Sequence, residues 1–505
     1  MSHRRPVELV RTCIVTAAIL LARPLPVLAE GAPAGEPATG ADQAKGIVGA
    51  PPIPTGGYGG PTPPLGAPVP RPKGLSGEVS GAVLFERINE DYFVTLDLMN
   101  ELSIGPVTFG VWVPLRFRVW DRAPKTSDIL RREDWDEVSD YARLLRFVEV
   151  NLGYERWRFR GRFGALDGES LGHGTIVAGY FNSLDRNHYQ AGLVLNAAIR
   201  FGGIEFMLDN LLGPEVYGVR AHVRPLSFFS KNVWASRLVT ALTVAGDGRA
   251  PVGLADTNPA DKRPDLDDQT NFRLSGTTPV TAFGWDTEYT LVQNRLIDLV
   301  PYLDVNFLFD GGTGAGMHLG TFFNLRIPTP VGPTLLTRLE YRAIGKGYAP
   351  RYIDSLYEVQ RLQYAPGVYR DAAGLPLTKL GWLRLGDSGR HGWLGELYFD
   401  FAGWVRVGGT YEDYTGPNNA ALTLSLLLPK IPLVKLGAYF MRRGFDGLGD
   451  AFSLDGALLV AYAKVKVWGP IFLSASYGRS WHVQEDGSYR TEDNFGAGAG
   501  VAFSY

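Results

Sequence analysis

The chain has 505 residues, with 50 Lys and Arg against 52 Asp and Glu, and a formal net charge of −2. This balance argues against a nucleic-acid-binding protein, whose domains usually carry a basic excess. One cysteine and 7 histidines leave little material for metal clusters or a disulfide framework, and we expect no metal site and no cofactor. No uninterrupted apolar run after residue 30 reaches the ~18 residues of a transmembrane helix. With 62 glycines and 12% aromatic residues, the chain is either an ordinary β protein or a β-barrel.

Residues 1–29 have the composition of a secretory signal peptide. Arginines open the segment, an apolar stretch covers residues 12–22, and small residues precede a cut after Ala29. The alternative, a buried helix of a soluble domain, is disfavoured because Pro and Gly follow at once. Cys13 lies inside the apolar stretch, so the mature chain would contain no cysteine. The sequence therefore predicts an exported protein whose stability does not depend on disulfides.

Residues 30–74 form a Pro/Gly-rich segment, in which Pro and Gly make up half of residues 31–74. Such a composition cannot bury enough apolar surface to offset the entropy of ordering. We interpret the segment as an extended periplasmic linker. A plain spacer is the favoured interpretation, and a tether for a periplasmic partner protein is the alternative.

From residue 75 to residue 505 the sequence alternates between apolar and polar residues. In residues 107–119 the odd positions are apolar, and the even positions include Arg116 and Arg118. In residues 157–165 the odd positions are apolar or glycine, and their even neighbours include Arg156, Arg158, Arg160 and Arg162. This period of two is typical of strands whose two faces meet different surroundings, and no helical period competes with it over a comparable length.

The lengths of the connections distinguish a barrel from a soluble sandwich. About twenty candidate strands alternate between short links, such as residues 103–106 and 468–470, and long links, such as residues 121–141 and 344–391. Outer-membrane barrels have short periplasmic turns, long external loops and an even number of strands. A Gly-Pro pair recurs at short links and suits a tight reversal. We therefore predict an all-β fold, a transmembrane antiparallel β-barrel of 16–20 strands over residues 75–505.

In the last residues of the sequence, aromatic and apolar residues alternate with glycine and other small residues, as in a strand. This segment resembles the carboxy-terminal signature strand of Gram-negative outer-membrane proteins, over about ten residues. The resemblance implies a place in the outer membrane, contact with its lipid, and recognition by the barrel-assembly machinery. The residues that would form this assembly signal are Phe495, Val501, Phe503 and Tyr505.

In a transmembrane barrel the apolar side chains face lipid, so the alternating polar side chains must face the lumen. The predicted basic side chains of the lumen are Arg116, Arg118, Arg156, Arg158, Arg160, Arg162, Arg220, His222, Arg224, Lys464 and Lys466. The predicted acidic side chains are Asp286, Glu288, Asp304, Asp310, Glu396 and Asp400. A basic wall would thus face an acidic wall in a water-filled pore. Alternatively, the charges pair across neighbouring strands and fill a closed lumen.

Three long connections add candidate gates or sites. Residues 351–364 have helical apolar spacing, which predicts an amphipathic helix either inside the lumen or on the rim. Residues 246–279 are rich in Asp, and a solvated acidic loop is favoured over a Ca²⁺ site because no EF-hand spacing is present. Residues 130–140 carry both charge signs around Trp135 and would either dock on a neighbouring wall or bind a ligand.

An enzyme is disfavoured. Ser170 and His173 share one Gly-rich loop, with Asp185 and His188 near the next strand, but this set is weak evidence for a catalytic site. The glycines of residues 311–316 indicate a hairpin turn, because no Lys-Ser/Thr pair follows them.

Two functions are consistent with these patterns. The first is a porin-like channel for hydrophilic, preferentially anionic solutes, with export of an anionic polysaccharide as a variant based on analogy alone. The second is a closed barrel that acts as a structural or anchoring component of an envelope assembly. A partner bound through residues 31–74 would favour the second function.

Overall fold

A computed structural model gives the fold of the chain. It describes residues 60–62 and residues 75–505 with gaps. The gaps are 89–90, 122–127, 136–138, 155–156, 184–189, 231, 259, 261–263, 266–271, 330–331, 366–368, 387–388, 430, 432, 448, 455 and 484–488. The predicted signal peptide, its cut, and nearly all of the predicted linker lie outside the described residues.

Among the described residues, twenty antiparallel strands form one closed barrel. The strands are β1 (Leu75–Ile88), β2 (Asp91–Ile104), β3 (Val107–Trp120), β4 (Phe147–Tyr154), β5 (Trp157–Gly164), β6 (Gly192–Ile199), β7 (Gly202–Leu208), β8 (Val216–Val223), β9 (Leu238–Leu254), β10 (Leu274–Tyr289), β11 (Ile297–Phe309), β12 (Thr313–Arg326), β13 (Pro333–Ile344), β14 (Arg390–Phe401), β15 (Val405–Tyr414), β16 (Ala420–Leu428), β17 (Val434–Phe445), β18 (Leu458–Trp468), β19 (Ile471–Val483) and β20 (Tyr489–Ser504). Each strand pairs with its neighbours in sequence, which is the simplest way to build a barrel without crossovers.

The barrel closes where β20 pairs with β1, in a register that places Glu78 opposite Ser504. Tyr505 and Gly77 exchange two backbone hydrogen bonds of 2.9 and 3.0 Å at the end of this seam. Closure leaves none of these twenty strands at an edge, so each has partners on both sides, as a lipid environment requires. The predicted fold class is confirmed, and the number of strands lies at the upper end of the predicted range.

The alternation in sequence becomes an alternation between the two surfaces of the wall. On β3, Arg116 is 2% exposed and points inward, whereas Phe117 and Val119 are 40% and 56% exposed on the outer surface. On β20, Phe503 is 54% exposed and also lies on the outer surface. A closed barrel with an apolar outer surface and a polar inner surface is the architecture of outer-membrane barrels.

The four longest connections lie at one end of the barrel, and the connections at the other end, which we call the short-turn end, have between 2 and 14 residues. Gly105 and Gly469, in the short turns after β2 and β18, have φ of +56° and +51°. Glycine adopts this left-handed conformation at little cost, and the proline that follows each of them completes the turn directly before the next strand. The Gly-Pro pairs that repeat in the sequence are therefore the short turns. Outer-membrane barrels carry their long loops on the external side.

Described parts of three long loops pack against the inner surface of the barrel. We name them loop A (residues 121–146), loop B (residues 165–191) and loop C (residues 345–389). Short elements within them are the 3₁₀ turns Arg132–Asp134 and Ser139–Leu144, the strands Asp167–Glu169, Val177–Ala178, Tyr180–Phe181 and Ile353–Asp354, and the helices α1 (Tyr357–Gln360) and α2 (Lys379–Leu385). Outside these loops lie the strand Val292–Gln293 and the 3₁₀ turns Pro225–Phe228 and Val233–Ser236. No helix of the described residues is long and apolar enough to cross a membrane.

The prediction of an amphipathic helix over residues 351–364 is wrong in extent. Ile353 belongs to a strand that pairs in parallel with Val177 of loop B, and only the single turn α1 is helical. The segment nevertheless lies inside the lumen, where Ile353 and Leu356 are each 1% exposed. Strand pairing with loop B competes with the helical preference of residues 351–364, so the first turn of the predicted helix is a strand instead.

The outer surface makes a depth-dependent prediction. Leu319 lies in the middle of β12 with 55% of its surface exposed, and Ile327 follows the end of the same strand. We expect Leu319→Arg to lower the unfolding free energy in lipid vesicles by ~2–4 kcal/mol, and Ile327→Arg by only ~0–1 kcal/mol. Urea unfolding followed by tryptophan fluorescence measures both. Equal losses at the two positions would contradict the placement of β12 across the membrane.

Candidate functional site

The arginines of β5 are paired with carboxylates from two sources. Arg162 donates to Glu149 on β4 at 2.9 Å and to Asp167 of loop B. Arg160 donates to Glu169 of loop B at 2.7 and 2.8 Å and lies 3.4 Å from Glu149. The pairing across neighbouring strands that the sequence left open is therefore present for these two arginines. Arg158 also lies on this strand, and Arg156 lies outside the described residues.

Loop A supplies a carboxylate to Arg116 of β3. Asp134 accepts hydrogen bonds from Arg116 at 2.8 Å and from Arg131 at 2.7 Å, and it has no exposed surface. Arg116 also lies 3.3 Å from Glu86 on β1. Of the two alternatives for residues 130–140, the described residues thus show docking on a neighbouring wall.

Arg220 of β8 lies in the lumen with no exposed surface. It donates two hydrogen bonds to Asp286 of β10, at 2.7 and 2.9 Å, and one to Glu205 of β7 at 2.6 Å. A bidentate Arg–carboxylate pair is among the strongest polar contacts in proteins. His222 and Arg224 follow on the same inner surface and are buried. The basic and acidic side chains that we expected on separate walls are here in direct contact.

His173 of loop B connects the loop to the acidic strands. Its two ring nitrogens lie 2.7 Å from Asp304 of β11 and 2.9 Å from Glu288 of β10. Thr175 donates to the second carboxylate oxygen of Asp304 at 2.8 Å. Burial lowers the pKa of His173, but the two carboxylates outweigh it and raise the pKa to about 10. The imidazolium is therefore charged at neutral pH and holds loop B against the wall.

A cluster on β13 was missed in the sequence analysis. The carboxylate of Glu340 accepts from Arg338, Arg342 and Tyr302, and lies 3.0 Å from a ring nitrogen of His318. Glu340 and Arg342 have no exposed surface. The alternation of residues 338–342, Arg-Leu-Glu-Tyr-Arg, was the available signal, because it places three charges on one face of a strand.

Loop C brings cations to acidic side chains of the wall. Arg351 pairs with Glu396 of β14, and Arg361 lies 3.1 Å from Asp247 of β9. Inside loop C, Lys379 donates to Asp354 at 3.1 Å, and Arg443 of β17 pairs with the same carboxylate. Burial lowers the pKa of Lys379 to about 8, against the opposing effect of Asp354.

Apolar packing completes the contact between the two inner loops and the wall. The largest buried apolar cluster joins side chains of loop B, loop C and the surrounding strands, including Val177, Tyr180, Tyr352, Tyr357 and Leu308. The Tyr180 hydroxyl donates to Glu358 of loop C at 2.5 Å. Loops B and C thus form one packed unit, which we call the inner plug.

The other predicted lumen residues have separate positions. Lys464 is buried and lies 3.0 Å from Glu78 of β1, whereas Lys466 is exposed. Asp310 lies in the hairpin turn after β11 and contacts Arg384 at 3.0 Å, so it is a rim residue. The remaining pairs are Arg118 with Asp91 at 3.0 Å and Asp400 with Arg406.

The residues considered for catalysis have structural contacts. Ser170 accepts a hydrogen bond from the backbone of Gly179 at 2.7 Å, and His173 is held between two carboxylates. Asp185 and His188 lie outside the described residues. In the described part of the chain, no group of three or more His, Cys, Asp and Glu side chains could hold a metal ion. Several Asp residues of the acidic loop are outside that part.

Comparison with known proteins gives only distant similarities. No protein-family model and no curated protein matches the chain. The outer membrane protein OprD from Pseudomonas aeruginosa matches over 91% of this chain and 98% of its own, with 9% identity and a TM-score of 0.31. OccK11 (OpdR) of the same organism matches over 85% and 96%, with 11% identity and a TM-score of 0.33. OccAB1 of Acinetobacter baumannii matches over the same shares, with 11% identity and a TM-score of 0.29. Because these TM-scores are low, we infer the barrel architecture from the strand pairing and not from these similarities.

The contacts of His173 predict a pH dependence. Its pKa is higher in the folded protein, about 10, than the ~6.5 of an unfolded chain. The stabilisation is therefore fully present below pH ~6.5 and is lost as the pH rises toward 10. We expect the difference in unfolding free energy between the native protein and His173→Gln to narrow between pH 7 and pH 10. A difference that stays constant over this range would show that His173 is not charged in the folded protein.

Proposed function

We propose that this protein is a gated outer-membrane channel for hydrophilic solutes, with the inner plug as its gate. The observation that supports the proposal is the way the plug is held. Loops from the external end are anchored to a charged wall by noncovalent contacts such as His173 with Asp304 and Arg351 with Glu396. A polar wall is suited to water once the loops leave, whereas a permanently filled interior has no need of so many buried charges.

A preference for anions is a finer proposal, and it depends on the state of loop B. In the occluded barrel, Asp167 and Glu169 of loop B pair with Arg162 and Arg160. When loop B leaves, both carboxylates leave with it, and Glu149 is the carboxylate on β4 that the two arginines share. The inner surface of β5 then gains net positive charge, which raises the local concentration of anions. An anionic polysaccharide is a second proposed cargo, and only this charge supports it.

The second candidate is a closed barrel with a structural or anchoring role. One observation favours it: Arg220, Glu340 and Arg342 of the wall have no exposed surface, so water does not reach them in this state. Recognition of β20 by the barrel-assembly machinery, and binding of a periplasmic protein through the linker, remain proposals under either function.

Shortening loop C separates the two candidates. We expect the native protein to be mostly silent in a planar lipid bilayer. Replacement of residues 346–388 by a short Gly/Ser linker should produce steady conductance, because it removes the cations and aromatic side chains that loop C contributes to the plug. The control is the replacement of residues 255–273, the connection between β9 and β10, by the same Gly/Ser linker. A folded but silent loop C variant would exclude the channel and support the closed barrel.

Charge reversal on β5 tests the anion preference. In a variant in which loop C is shortened and residues 166–190 of loop B are also replaced by a Gly/Ser linker, we expect Arg160→Glu combined with Arg162→Glu to change the permeability ratio from anion-preferring to cation-preferring. Arg249, which is 68% exposed at the end of β9 near the long loops, provides the control. Arg249→Glu should leave the ratio nearly unchanged. Equal effects of the two changes would place β5 away from the conducting path.

A further inference from the structure

Residues 60–62 of the Pro/Gly-rich segment lie inside the barrel, and we call them the luminal tract. The backbone N–H of Thr62 donates to both carboxylate oxygens of Glu288, at 2.9 and 3.1 Å. The Thr62 hydroxyl accepts from Arg220 at 3.3 Å. The N–H of Gly60 donates to the carbonyl of Gly172 in loop B at 3.1 Å. The tract thus contacts two strands of the wall and one loop of the plug.

The groups that hold the tract are fixed by other contacts. Arg220 is oriented by Asp286 and Glu205, and Glu288 is oriented by His173. Glu288 is 2% exposed and Arg220 has no exposed surface. Gly172 has a φ of +52°, and a Cβ there would come within 2.5 Å of the Arg220 side chain. The missing side chain lets Arg220 lie against loop B beside the tract.

We propose that the inner wall carries a binding site for an extended peptide, and that the chain's own Pro/Gly-rich segment occupies it. In this site the Glu288 carboxylate accepts from one backbone N–H, and the Gly172 carbonyl accepts from a second. The Arg220 guanidinium donates to a side-chain hydroxyl. Pro61, between the two bonded residues, has a restricted φ, which lowers the entropy lost on binding. This inference does not depend on whether the barrel conducts.

Chain connectivity identifies the occupant. Residues 63–74 join Thr62 to the start of β1, and a chain of this length spans at most ~45 Å when fully extended. β1 begins at the short-turn end, where β10 also ends close to Glu288. A tethered segment has an effective concentration in the millimolar range, so weak contacts suffice to keep the site occupied.

Accessibility of a cysteine in the tract tests the proposal in the full chain, with Cys13, the one native cysteine, replaced by serine. Gly60→Cys is suitable because a Cβ at Gly60 meets nothing within 4 Å. The exposed reference is Gly213→Cys, which also has open space around its Cβ. The probe is a polymeric maleimide too large to enter the lumen. We expect the cysteine at position 60 to react at least tenfold more slowly than the cysteine at position 213.

Two further changes at one position test the hydrogen bonds without altering the wall. Thr62→Pro removes both the N–H that Glu288 accepts and the hydroxyl that Arg220 binds, whereas Thr62→Ser keeps both. Thr62→Pro should bring the reaction rate at position 60 to within about twofold of the exposed reference, and Thr62→Ser should leave it slow. Fast reaction without any change at Thr62, or slow reaction with Thr62→Pro, would overturn the proposal. A folded but silent loop C variant would overturn the channel alone, since labelling needs no conductance.

Discussion

The structure depends on the neutralisation of charge inside a barrel whose apolar outer surface faces lipid. Because every second residue of a strand faces outward, the polar residues that cannot face lipid are forced into the lumen. A filled lumen excludes water, and a buried charge without a partner is strongly destabilising. Loop B supplies Asp167 to Arg162, and loop C supplies Arg351 to Glu396. The inner plug therefore supplies both the opposite charges and the packed side chains that the inner surface of the wall needs.

Electrostatics and packing in the plug are coupled. Ile353 of loop C pairs in parallel with Val177 of loop B, and Glu358 accepts from Tyr180, so neither loop can move far without the other. A concerted departure breaks the ion pairs and exposes the apolar cluster at the same step. This cost favours the occluded state. In the gate that we propose, it would also make opening an all-or-none event, because packed interfaces have discrete arrangements rather than a continuous range.

The sequence predicted the wall better than its contents. Lipid and lumen impose a period of two that is visible residue by residue, so strands, faces and short turns were predictable. The cluster around Glu340 carried the same signal in residues 338–342 and was readable but missed. The contacts Lys379–Asp354 and His173–Asp304 join residues far apart in the chain, so no local pattern encodes them. Alternation also suggested separate basic and acidic walls, because it does not show that neighbouring strands and loops bring opposite charges together.

Glu288 connects the parts that local patterns do not reveal. Its carboxylate accepts from Thr62 of the luminal tract and contacts His173 of loop B, while Gly60 of the tract bonds to Gly172, the neighbour of His173. Loop B belongs to the external end, whereas the tract leads toward β1 at the short-turn end. Movement of loop B out of the lumen must break the bond to Gly60, and release of the tract leaves His173 as the closest bonded partner of Glu288. The luminal tract and loop B therefore share the carboxylate of Glu288. Release of either one changes the contacts that hold the other.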